Sequence, residues 1–204
     1  MDQFAIAAGV AGHALLIDCA ALTVAPVRMP TDVEIVVIFV AHRTLVGSAY
    51  AERVGECAAA EQIVGPLRAA TAADLAKIAD PVVRRRAGHV VAENRRVREF
   101  ADALLAHDLA AAGELMLASH ASLRDLYETS IPAMDRTVER LAAIPGVHGA
   151  RMTGGGFGGC VVALTDPGAL DHGWIVHPVD GARVHDIGDQ PDRARPANAG
   201  QVLQ

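Results

Sequence analysis

Residues 151–160 read RMTGGGFGGC, which places five glycines in six positions around one aromatic, Phe157. Glycine is favoured where the chain must take φ > 0 or let another group approach the backbone closely. The run therefore specifies a shaped loop rather than a flexible linker. GVHGARMT before it and CVVAL after it both read as short strands. The stretch thus predicts a tight strand–loop–strand unit whose backbone N–H groups can face a ligand or a neighbouring loop. Gly154, Gly156 and Gly159 also satisfy GxGxxG, with Asp180 downstream. That dinucleotide fingerprint needs a helix directly after the glycines to hold the pyrophosphate, whereas Cys160-Val161-Val162 favours a strand. A third alternative is that the glycines serve close packing alone.

Further stretches stand in a fixed order around this loop: MDQF (1–4), HALLIDC (13–19), RTLVGSAY (43–50), SHASLRDLYETSIPAMD (119–135) and PGVHGARMTGGGFGGC (145–160). Together they resemble the galactokinases, in the GHMP family of small-molecule kinases, with RMTGGGFGGC matching the third signature motif. In that family the matching Met-Asp-Gln lies well inside the chain, after a sugar-recognition motif and a nucleotide loop rich in Pro, Gly and Ser. No GRxNLIGEH-like or PxGxGLSSSA-like segment occurs in the 204 residues. The sequence therefore resembles the C-terminal half, or slightly more, of a galactokinase whose internal methionine stands first.

Composition narrows the class. The 204 residues can bury a core as one domain or a small two-part unit. Hydrophobic residues make up 51% but aromatics only 3%, which points to alanine-rich helices on a β-branched sheet. A net charge of −6 argues against nucleic acid as the main partner. The arginines at 84–86 and at 95, 96 and 98 read as a solvated helix face. Cys19, Cys57 and Cys160 lack CxxC spacing, which fits a reducing cytosol without a disulfide framework or structural zinc. No signal-peptide pattern is present, and IVVIFVA (35–41) is too short to span a bilayer. The expectation is a cytoplasmic protein with no membrane partner; oligomeric state is open.

Along the chain, residues 13–18 read as a buried strand, with Pro26 and Pro30 bounding the following loop, and residues 33–40 as a central strand. The pattern turns helical from 48 to 64, is broken by Gly65-Pro66, and resumes briefly over 68–78. Pro81 opens the longest helix, with a core-facing stripe of Val83, Ala87, Val90, Val91, Asn94, Val97, Ala101 and Leu104. His89 and Glu93 are read as an ordinary helical pair rather than a metal site. Residues 111–127 form another helix, in which His120 is a satisfied, partly buried histidine. Ser130 and Pro132 start a third helix, closed by Pro145-Gly146. Asp166-Pro167-Gly168 is a turn. Residues 174–177 and 182–185 read as short strands joined at Asp180-Gly181, and residues 188–204 as a disordered tail.

These elements predict an α+β fold. The resemblance implies the ferredoxin-like GHMP C-terminal domain at 33–187, a remnant of the N-terminal domain at 1–32, and the tail at 188–204. It also implies ATP and Mg²⁺ as cofactors and galactose as substrate, phosphorylated at its C1 hydroxyl. Asp2 matches the catalytic base, Tyr50 the tyrosine that bonds the sugar, and Gly154, Gly155, Gly156, Gly158 and Gly159 the motif lining the cleft. No metal ligand is assigned. The family's polar pair after the second strand stands here as Phe39-Val40, and its Arg-Arg after the tyrosine as Arg53-Val54. Two alternatives remain open: a non-catalytic galactokinase-derived module, and a kinase for another hexose such as N-acetylgalactosamine. The absent nucleotide loop implies that these residues alone are an inactive portion of the enzyme.

Overall fold

The computed structural model describes residues 2–43 and 49–183. Helix α1 (Asp2–Ala8) leads into a hairpin of β1 (His13–Asp18) and β2 (Thr23–Arg28). Strand β3 (Glu34–Ala41) is followed by α2 (Tyr50–Val64), α3 (Ala72–Leu75), α4 (Pro81–Leu105), α5 (Leu109–Asp125) and α6 (Pro132–Ala142). The chain then returns to the sheet as β4 (Val147–Met152), β5 (Gly159–Thr165) and β6 (Trp174–Val176). The main sheet has the order β4-β5-β3-β6, with each neighbouring pair antiparallel. The glycine run joins β4 to β5, as its strand-like flanks predict, and the strand after it removes the dinucleotide reading.

Alternation along the strands gives the sheet two buried faces. Val36 and Ile38 of β3, Ala150 of β4, and Val161 and Ala163 of β5 pack against Val138 and Leu141 of α6. On the other face Ile35, Val162 and Leu164 meet Ala101 and Leu104 of α4, Ala112 and Met116 of α5, and Val27 of β2. Helix α5 comes so close to β4 that a Cβ on Gly113 would collide with the His148 carbonyl, and one on Gly149 with Gly113 backbone. Only glycine on both sides permits this approach.

Helix starts follow their chemistry. Asp80 caps α4 by accepting from Val82 N at 2.7 Å and Val83 N at 3.1 Å, ahead of Pro81 at the first turn. Asp108 caps α5 through Ala111 N at 2.9 Å.

Several expectations are corrected. Strand β1 is half-buried, because it belongs to a separate two-stranded sheet. Pro26 lies inside β2 rather than in a loop, opposite Leu15; a strand with an unpaired edge tolerates a residue without an N–H. The 68–78 passage contains only the four-residue α3, opened by the Thr71–Asp74 capping box. Val97 of the expected α4 stripe is exposed. Arg86, expected in solvent, is 2% exposed and bonds Glu56, Glu128 and the Leu126 carbonyl. Arg96 is also largely covered and paired with Glu93. His89 and Glu93 do not pair with each other: His89 bonds Ser122 at 2.8 Å, and Glu93 accepts from Ser119 at 2.7 Å.

Among the described residues no hairpin forms at Asp180-Gly181. Instead Gly181 N and Ala182 N donate to Gly9 O and Ile6 O, and Asp180 accepts from Ala11 N, so the chain folds back along α1. Residues 184–185 of the last expected strand and the 188–204 tail lie outside the described residues.

Candidate active-site surface

The loop between β4 and β5 is built by left-handed backbone. Gly154, Gly156, Gly158 and Gly159 all have positive φ, and Phe157 joins them at φ 59°. The loop neck closes through Thr153 N donating to Cys160 O at 3.0 Å, and its tip is tied down by Phe157 N donating to Thr129 O at 2.7 Å. Other chain segments press on it. A Cβ on Gly156 would strike Thr129 and meet Met152 Cε at 2.9 Å; one on Gly158 would meet the His42 carbonyl at 2.8 Å. Much of the glycine requirement is therefore close packing within the chain.

The Tyr50 ring lies over Gly155, its Cε2 3.4 Å from where a Cβ would stand, and the Arg43 guanidinium covers Gly154 at 2.9 Å by the same measure. Tyr50 begins α2 and is half exposed. The structure thus brings Tyr50 and the glycines together and adds Arg43 and Thr129, two residues to which sequence reasoning gave no role. Arg43 and Thr129 lie in two of the stretches that carry the resemblance, but residue type alone gives neither a position. Asp2 stands exposed in the first turn of α1, a helix packed on β1 and on the backbone of residues 181–182.

Behind the loop, His120 supports its entry. Met152 N donates to His120 Nδ1 at 3.3 Å, so the ring accepts there and carries its proton on Nε2, which stands 3.2 Å from Asp135 Oδ1. Ser130 Oγ donates to the same carboxylate oxygen at 2.6 Å. Burial lowers the His120 pKa, against an opposing pull from Asp135. The histidine is buried, more so than the sequence suggests; Met152 N satisfies Nδ1, while Nε2 faces Asp135 without completing a hydrogen bond, so the satisfied reading holds for one ring nitrogen only.

Among the described residues no group of three His, Cys, Asp or Glu side chains is placed to hold a metal ion. The loop's close approaches are filled by His42, Arg43, Tyr50 and Thr129. Also among the described residues, no helix is long and apolar enough to cross a membrane.

Residues 100–172 match the family described as GHMP kinases C terminal. This is a GHMP kinase C-terminal domain. The sequence is 44% identical over 187 residues to a galactokinase of Chloroflexus aggregans, covering 84% of this chain and 47% of that protein. It is 42% identical over 179 residues to the Homo sapiens galactokinase, covering 84% and 46%. The chain spans about half the length of the curated relatives it matches. A Lactococcus lactis galactokinase solved with galactose superimposes with TM-score 0.79 at 31% identity, over 88% of this chain and 54% of that one. An L. major mevalonate kinase solved with R-mevalonate shares the fold at TM-score 0.53 and 19% identity, over 79% and 47%. The GHMP kinase domain therefore sits in a galactokinase-like sequence.

Proposed function

We propose that this chain supplies the C-terminal side of a galactokinase active site, which transfers the γ-phosphate of ATP to the C1 hydroxyl of galactose. On this reading residues 1–32 belong to the partner domain of the GHMP fold and residues 33–187 to the C-terminal domain, with residues 188–204 a tail. Asp2 accepts the proton of the attacking hydroxyl. Tyr50 bonds the sugar, since a phenol can pack on one side and donate or accept at its tip. Gly154, Gly155, Gly156, Gly158 and Gly159 shape the cleft wall. ATP and Mg²⁺ are held chiefly by the half of the galactokinases that this chain does not match, and the triphosphate supplies the transferred phosphoryl group. The 204 residues alone therefore do not turn over galactose. On the same reading the reaction takes place in the cytoplasm.

The observation that supports this reading is the convergence of Tyr50, Arg43 and the glycine loop at one end of the sheet. A positive guanidinium and a phenol over a glycine surface suit a polar substrate beside an anionic one.

The test is a chimera in which the unmatched first half of the Chloroflexus aggregans galactokinase precedes residue 1 of this chain. Phosphorylation of galactose should require ATP and Mg²⁺. Asp2→Asn should lower kcat by about 10²–10⁴-fold, while Tyr50→Phe should mainly raise the galactose KM. N-acetylgalactosamine and other hexoses in the same assay define the acceptor. A folded chimera without activity on galactose would overturn the proposal.

A further inference from the structure

A concave region lies on the face of the sheet that packs against α4 and α5. It is a cavity of about 490 Å³ between α4, α5, the β1–β2 hairpin and the β3–β6 edge. That volume lies within the roughly 300–1,000 Å³ of small-molecule sites. Met29, Ile35, Phe100, Leu115, Met116 and Val162 make most of its wall, which is apolar. One end is different: Glu93, Arg96, Ser119 and Arg151 meet there.

That polar end is a connected cluster. Ser119, 3% exposed, donates to Glu93 Oε2 at 2.7 Å. Arg96 pairs with Glu93, and Arg151 Nη1 stands 3.9 Å from the same Glu93 Oε2. Two guanidinium charges thus share one carboxylate, and a net positive charge remains. Burial lowers the pKa of Arg96 and of Arg151, and Arg96 repels Arg151 further. Both nevertheless stay protonated at neutral pH, because a guanidinium starts far above it. An unneutralised charge at the end of an apolar cavity is stabilised most by an anion that brings its own apolar body.

We propose that this cavity binds a small amphiphilic monoanion, a carboxylate with an aliphatic or aromatic body. The carboxylate takes the guanidinium groups of Arg96 and Arg151, and the body fills the space between Phe100, Met116 and Val162. The site is separate from the proposed phosphotransfer surface and does not depend on that reading.

Calorimetric titration with sodium octanoate and with 1-octanol tests it, since the two probes share a chain and differ in the head group. Octanoate should bind one to one and at least tenfold more tightly than octanol. Arg96→Gln should weaken octanoate about tenfold, one charge-assisted contact, and leave octanol unchanged. Methyl NMR signals of Ile35, Leu115 and Val162 should shift with octanoate. If Arg96→Gln does not fold, as judged by thermal melting, Arg151→Gln takes its place with the same expected loss. Absence of saturable octanoate binding, equal affinity for both probes, or an unaltered octanoate affinity in the folded arginine variant would each overturn the proposal.

Discussion

Replacing Arg86 by methionine should destabilise the fold far more than replacing its neighbour Arg85. Arg86 is 2% exposed and spans three segments: Nε donates to Glu56 of α2 at 2.9 Å, Nη1 to Leu126 O at 2.6 Å, and Nη2 to Glu128 at 2.8 Å. Removing one partner of a fully buried pair costs about 3–5 kcal/mol. That range needs discounting here, because the Glu128 side chain is 45% exposed and water can take over its charge. Glu56 keeps Arg53 as a partner. The Leu126 carbonyl loses the arginine donor, at about 1–2 kcal/mol if it stays dry. The net expectation is about 3 kcal/mol, or a fall in Tm of roughly 6–12 °C for a chain this long. Arg85→Met, which removes an exposed contact to Glu128 at 3.4 Å, should cost at most about 1 kcal/mol. Urea unfolding of both variants, fitted with a common m-value, makes the comparison. The lost bonds hold the 126–129 turn, where Glu128 has φ 54°, and Thr129 O receives the Phe157 amide of the glycine loop. Hydrogen exchange at Phe157 should therefore accelerate in Arg86→Met and not in Arg85→Met. Equal stability of the two variants would refute the claim that this buried guanidinium organises the turn.

Other perturbations test different parts of the structure. Gly113→Ala would drive a Cβ into the His148 carbonyl across the α5–β4 contact, and should cost more than about 2 kcal/mol or prevent soluble expression. Asp80→Ala removes the acceptor for Val82 N and Val83 N, and should cost about 1 kcal/mol in denaturant unfolding. Stability should also fall on acidification. Burial, reinforced by the charges of Arg96 and Arg151, pushes the His89 pKa down to about 4 from 6.5. Below 6.5 the unfolded chain takes up the proton before the folded one does. Stability from this histidine is thus complete above pH 6.5, declines as pH falls, and levels off below about 4, a loss on the order of 3 kcal/mol. His89→Gln should flatten that part of the profile, while the buried His120, shifted in the same direction, retains its share.

What could be read from the chain beforehand follows a physical division. Local rules are enough for the strand–loop–strand unit, since glycine's permitted φ and the β-branched run from Val161 act within a few residues. Pro81 after Asp80 likewise announces the start of α4 by its own capping chemistry. Arg86 and Arg96 illustrate the limit. A helix wheel places them by charge, but whether a charge faces water depends on what packs against the helix: Glu56 and Glu128 from other segments for the first, and for the second the neighbouring Glu93 of α4, which Ser119 of α5 bonds in turn. The candidate site divides in the same way. Tyr50 and Gly155 meet across more than a hundred residues, a contact no periodicity encodes, and only the collinear motifs suggested that they belong together. Thr129 was hidden for a further reason: its carbonyl, not its side chain, receives the Phe157 amide. Any residue type offers that acceptor, so the turn that presents it, fixed from beneath by Arg86, carries the information. The glycine motif therefore describes only one side of a junction. The other side is held by a buried cation on α4, which is why a substitution there should loosen a loop that it does not touch.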